Sequence, residues 1–138
     1  MDPLVADASV LVKLFLEEPY SDNVRSMRDS YISGAITITV PTLMKYEVMN
    51  ALIYSKRLGQ ADINVAMEAL DEYDFVTTPL DRALATRMLE ISTRYSVTTY
   101  DAAYVALALK SGSKLYTADE KLIRAIRSPI VRHIKEFK

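Results

Sequence analysis

The sequence has no cysteine. That excludes disulfides and thiolate metal sites, and it fits a reducing, cytoplasmic setting. There is one histidine, His133, so no histidine cluster can hold a metal. A serine hydrolase triad needs only one histidine, but the G-x-S-x-G elbow that would carry its serine is missing. The three glycines stand apart from one another, so they build no phosphate-cradling loop. No apolar run approaches the roughly 18 residues of a membrane span, and no membrane association is expected. The start, Met1-Asp2-Pro3, lacks the basic stretch of a secretory signal. What is present is an ordinary globular composition, 50% hydrophobic and 25% charged. A chain of 138 residues is enough for one domain with one core. The chemistry these absences leave open is that of carboxylates.

Charge is unevenly spread. Residues 110–138 hold eight basic and three acidic side chains, a local net of +5, while residues 1–109 carry −6. A basic C-terminal quarter suits contacts to phosphates, and it equally suits the solvated face of a last helix.

The stretch from Thr98 to Asp119, TTYDAAYVALALKSGSKLYTAD, organises the chain. Thr98 and Thr99 are N-cap residues by type. Tyr100, Tyr104 and Leu107 share one helical face, and Ala103, Ala106 and Leu109 fill others. A helix that is apolar nearly all round is buried. Gly112 stops it, and Lys114-Leu115-Tyr116-Thr117 reads as a strand. Asp101 sits in the first turn of this helix and Asp119 just past the strand. Each has a structural reading as well as a catalytic one. Asp101 favours the positive end of the helix dipole, and Asp119 can cap the helix that follows.

Taken in order, Leu4-Val5-Ala6 reads as a buried strand ended by Asp7. An amphipathic helix follows through Val10, Leu11, Leu14 and Phe15 to about Leu16. Ser21 then caps a helix to Ile32, stopped by Gly34. Ile36 to Val40 is a strand closed by Pro41. Thr42 caps a long helix ending at Gly59, and Ala61 to about Tyr73 is another. Asp74 to Thr78 reads as a strand. Leu80, Leu84, Met88 and Ile91 mark a helix to about Tyr95. Glu120 to about Arg127 is the last helix, and Ile130-Val131 with Ile134 makes a final strand or an extended tail. Strands alternating with helices predict an α/β domain with a mainly parallel sheet and helices on both faces. The C-terminal ends of such strands are where sites form, and Asp7 and Asp119 both lie there. Thr117 stands two residues before Asp119, repeating the pairing of Asp7 with Ser9.

Glu47 adds a fourth carboxylate. Leu43, Ala51 and Tyr54 place it on an apolar stripe, whereas most helical glutamates face water. A stripe edge with the carboxylate reaching solvent explains it as well. If Asp7, Glu47, Asp101 and Asp119 converge, they repel one another, and a divalent cation offsets that repulsion. Ligands made only of oxygen suit Mg²⁺ or Mn²⁺.

The order DAS near the N-terminus, a helical Glu in MKYEVMNAL, then TTYDAAYVALA and LYTADEKL resembles the PIN-domain family, and more narrowly its VapC-type ribonuclease toxins. The resemblance covers essentially the whole chain, with all four acids in family order. It implies one PIN-like nuclease domain over residues 1–138, a three-layer α/β/α sandwich around a mainly parallel sheet. It also implies Mg²⁺- or Mn²⁺-dependent endoribonuclease activity. Asp7 and Asp101 match the family's principal metal carboxylates, Glu47 and Asp119 its other two acids, and Ser9 and Thr117 its supporting hydroxyls. An RNA substrate, a homodimer and a cognate antitoxin protein follow from the same resemblance. Lys13, Lys121 and Arg124 are cations placed to hold an RNA backbone, or ordinary surface charges.

Other readings keep the fold. One is a PIN nuclease acting in RNA maturation or on DNA. Another is a non-catalytic module that binds RNA or protein. A phosphoryl-accepting α/β enzyme fits less well. Ser9 stands where a phosphatase has its second Asp, and a receiver's late-strand Lys is absent because that strand ends Tyr116-Thr117.

Overall fold

Short apolar and β-branched stretches supply the sheet. Its strands are β1 (Asp2–Ala6), β2 (Ile36–Pro41), β3 (Val76–Thr78), β4 (Lys114–Thr117) and β5 (Val131–His133). A computed structural model describes all of residues 1–138. The helices are α1 (Ala8–Leu11), α2 (Ser21–Ile32), α3 (Met44–Ser55), α4 (Gln60–Tyr73), α5 (Arg82–Tyr95), α6 (Thr99–Ser111) and α7 (Glu120–Ile126). One 3-10 turn extends α1 through Leu14, and another follows β5.

All neighbouring strands pair in parallel, in the order β3-β2-β1-β4-β5. Leu4 is in register with Ile38 on one side and Lys114 on the other. The chain moves outward from β1 to β2 and β3, then returns across the sheet to β4 and β5. Right-handed crossovers place connections of opposite direction on opposite faces. Helices α1 to α4 therefore cover one face and α5 to α7 the other, which is the expected three-layer sandwich. The direction reverses between β1 and β4, and the crevice at such a reversal is where parallel sheets hold their ligands.

Parallel strands covered on both sides are apolar on both sides. Val5, Ala6, Ile38, Val40 and Leu115 are accordingly buried. They belong to one cluster of buried hydrophobic side chains running from Leu4 to Ile134. The central helix is α6, buried without interruption from Ala102 to Ala108. Its cap is as expected: Thr98 accepts from the Asp101 amide at 3.1 Å, and Gly112 ends the helix at φ 63°.

Several boundaries differ from expectation. Tyr20, at φ 71°, precedes α2 in the capping place, and the Ser21 hydroxyl instead donates to the Leu16 carbonyl and accepts from the Glu18 amide. Thr42 does not cap α3; Leu43 occupies that place without a side-chain cap. The helix ends at Ser55 because Lys56 turns left-handed at φ 57°, and Gly59 opens α4 rather than closing α3. Asp74 is the left-handed end of α4, so β3 starts only at Val76. Tyr100 is not on a buried face: it is 62% exposed, although Tyr104 one turn later is 1% exposed.

Candidate active site

Asp7 leaves β1 and caps α1. Its Oδ1 accepts from the Ser9 hydroxyl at 2.5 Å and from the Val10 amide at 3.2 Å. Its own amide donates to the Tyr116 carbonyl of β4 at 3.2 Å, which fixes it against the neighbouring strand. Ser9 completes the junction. Its Oγ accepts from the Ala118 amide at 2.9 Å and lies 3.3 Å from Thr117 Oγ1. Thr117, wholly buried, in turn accepts from the Asp119 amide at 3.0 Å. Two hydroxyls thus tie the end of β1 to the end of β4.

Asp119 caps α7, accepting from the Lys121 and Leu122 amides. That is the structural role foreseen for it, and the cap also holds its carboxylate at the sheet's edge. Asp101 stands in the first turn of α6, half-buried. Glu47 comes from α3 in the opposite layer, where Met44, Val48 and Leu52 form the buried stripe and Glu47 sits at its edge. Tyr104 Oη donates to Glu47 Oε1 at 2.7 Å. Sequence reasoning took Tyr104 for a purely apolar core residue. The available signal was its place one turn after Asp101 on the same helix.

The other three acids are each coupled in charge to Asp101. Burial raises the Asp7 carboxyl to about 6. Hydrogen bonds from Ser9, Thr117 and Val10 oppose that rise, and Asp101's charge adds to it. Burial also raises Glu47, opposed by the Tyr104 hydrogen bond and reinforced by Asp101. Asp101 is raised by burial first and by Asp119 second. Asp101 therefore feels, or is felt by, each of the other three. None of the four takes part in any of the chain's salt bridges. The negative charge at this edge has no protein cation against it. No three acidic or histidine side chains stand close enough to make a ready-made metal cage. An ion held by one or two carboxylates and water, the usual habit of Mg²⁺, fits these oxygen donors.

The cations considered for RNA do not act together. Lys13 is 8% exposed and paired with Glu18 at 3.3 Å, so it is not free to hold a phosphate. Arg124 reaches Glu120 at 3.9 Å, and Lys121 is exposed. No helix is long and apolar enough to cross a membrane.

A family model, the PIN domain, matches residues 4–127. The chain belongs to the PIN-domain family. Among relatives of that family, it is 33% identical over 123 residues to Ribonuclease VapC3 of Pyrobaculum aerophilum, covering 86% of this chain and 91% of the relative. Solved structures share the PIN fold at lower identity. A crystal structure of a Pyrobaculum aerophilum protein superimposes with a TM-score of 0.69 at 23% identity, covering 97% of this chain and 90% of that one. A toxin-antitoxin complex from Klebsiella pneumoniae gives 0.68 at 18% identity, covering 95% and 97%.

Proposed function

We propose that this PIN domain, spanning residues 1–138, is a divalent-metal-dependent endoribonuclease and the toxin of a toxin-antitoxin pair. What supports the reading is that Asp7, Glu47 and Asp119 are each coupled in charge to Asp101 and that none of the four is paired with a protein cation. The likeness to Ribonuclease VapC3 supports RNA as the substrate. The toxin-antitoxin complex among the structures of the same fold supports an antitoxin partner. A cytoplasmic homodimer completes the proposal, on family grounds.

In this reading Asp7 and Asp101 hold Mg²⁺ or Mn²⁺, directly or through water. The bound ion would lower the pKa of water and offset charge developing on the scissile phosphate. Ser9 fixes Asp7 through its short bond to Oδ1 and keeps the carboxyl ionised more readily than burial alone allows. Thr117 supports Ser9 and orients the turn that carries Asp119. Tyr104 holds Glu47 at the mouth of the site. Glu47 and Asp119 would complete the negative pocket and hold water beside a bound ion. The test is incubation of purified protein with varied RNAs in Mg²⁺, Mn²⁺ or EDTA. Cleavage with either metal, none in EDTA, and none from Asp101→Asn is expected. Undiminished cleavage in EDTA overturns the mechanism.

A further inference from the structure

Beside the acids lies an open cleft of about 420 Å³, walled by Leu43, Tyr46, Glu47, Asn50 and Tyr100. Two of its walls are aromatic and unusually bare. Tyr46 is 74% exposed and Tyr100 is 62% exposed. The fold pairs other rings closely, as in Tyr31 with Phe75 and Tyr116 with Phe137, but neither Tyr46 nor Tyr100 has a ring partner. Each directly precedes a site acid in the chain, Tyr46 before Glu47 and Tyr100 before Asp101. Helices α3 and α6 thus deliver an aromatic face and a carboxylate together, one from each layer of the sandwich. Asn50, one turn beyond Tyr46 on α3, adds an amide that both donates and accepts.

We propose that this cleft is a nucleobase subsite, in which Tyr46 and Tyr100 stack an unpaired base of the RNA next to the cleaved phosphodiester. The inference rests on the nuclease reading above and names its substrate class as single-stranded RNA. Glu47 forms one wall, so a phosphate is repelled from the cleft, whereas a neutral base is not. Glu47 also belongs to the acid group, so a base seated here lies immediately beside the proposed site of cutting. Splayed bases stacked on aromatic side chains and read along their edges are how proteins recognise single-stranded RNA. Stacking tolerates any base because every base has a π face. Asn50 provides the edge contact that favours some bases over others.

The experiment measures anisotropy of a fluorescein-labelled, mixed-sequence single-stranded oligoribonucleotide in EDTA, beside the same sequence annealed as a duplex. Cleavage of the single strand in Mg²⁺ is followed in parallel. The proteins are wild type, Tyr46→Ala, Tyr100→Ala, Tyr46→Phe, Tyr100→Phe and Asp101→Asn, with circular dichroism and light scattering on each. One stacked base is worth about 1–3 kcal/mol, or roughly 5- to 150-fold in affinity. Each alanine variant should lose single-strand binding by that factor and raise KM more than it lowers kcat, while the phenylalanine variants stay near wild type. Preference for single strand over duplex should shrink in the alanine variants. Folded alanine variants that bind and cut like wild type overturn the subsite while leaving the nuclease reading intact. Alanine variants that change the scattering mass but not RNA binding assign the tyrosines to a protein interface and also overturn it. A wild type that neither binds nor cuts RNA overturns both readings.

Discussion

Tyr104 on α6 donates its phenolic hydroxyl to Glu47 on α3 at 2.7 Å, joining the two helical layers at the edge of the sheet. The phenol is almost fully buried, whereas the carboxylate keeps access to water. Removing the hydroxyl in Tyr104→Phe also takes away the oxygen that the Ala8 amide faces, while Glu47 can rehydrate. The loss should be about 1.5 kcal/mol, at the low end for a bond to a charged group. Urea unfolding of Tyr104→Phe, Glu47→Ala and the double variant checks this. The double variant should lose at least about 0.5 kcal/mol less than the two single changes added together. Strict additivity would show that the bond contributes nothing.

Asp101 should limit the stability of the metal-free protein. Its carboxyl is pushed up by burial and by Asp119, so its charge is unfavourable where it stands. Asp101→Asn removes that charge and should leave the melting temperature in EDTA unchanged or higher. Mg²⁺ binding only the folded state should add about 2.7 kcal/mol at a hundred times its dissociation constant. That gain should appear in wild type and largely vanish in the variant. Thermal melts in EDTA and in Mg²⁺ at fixed ionic strength measure both effects, and equal wild-type melts at saturating Mg²⁺ or Mn²⁺ would refute the site.

Asp7 predicts a pH dependence with a definite sign. Its folded pKa, about 6, exceeds the ordinary 3.8. The folded protein therefore holds this proton more tightly than the unfolded chain. The stabilisation from protonation is fully present below the ordinary value and is lost as pH rises through about 6. In EDTA, stability should fall over that window, and Asp7→Asn should flatten the fall. Metal affinity should move the opposite way, strengthening as Asp7 ionises. Denaturant titrations across the window, with and without Mg²⁺, read both signs.

Ser9 links stability to the same ionisation. Ser9→Ala removes the hydroxyl that accepts from the Ala118 amide and donates to Asp7. An amide left without its partner should cost about 1–3 kcal/mol. Asp7 loses the strongest hydrogen bond opposing its raised pKa, so the rise of cleavage rate with pH should shift to higher pH. A pH-rate profile that does not move, alongside a lower melting temperature, would leave Ser9 a purely structural residue.

Much of the arrangement was legible in the residues. The apolar run ending at Asp7, the strand ending at Thr117 and the capped helix from Thr98 to Gly112 all appear where pattern and cap chemistry put them. Asp7 and Asp119 were expected at strand ends for the same reason. Strand order was not legible, because no local signal says that β4 pairs with β1. The end of α3 was hidden too, since Lys56 takes a left-handed conformation without glycine, whereas α4 and α5 end at Tyr73 and Tyr95 where their patterns stop. The role of Tyr104 depends on Glu47, 57 positions away, and no periodicity reaches that far. Tyr100 misled because an apolar helix face does not reveal where the covering layer stops.

The joint between β1 and β4 also sets when the site can exist. Ser9 and Ala118 meet across 109 positions of chain. Contacts of that separation are made late, after the intervening loop entropy has been overcome. Chains emerge from the ribosome N-terminus first, so Asp7 and Ser9 are exposed long before Thr117 and Asp119. A growing chain, or a fragment cut before Lys114, holds the first acid without the strand that positions it. The acidic group therefore forms only once nearly the whole domain has been made.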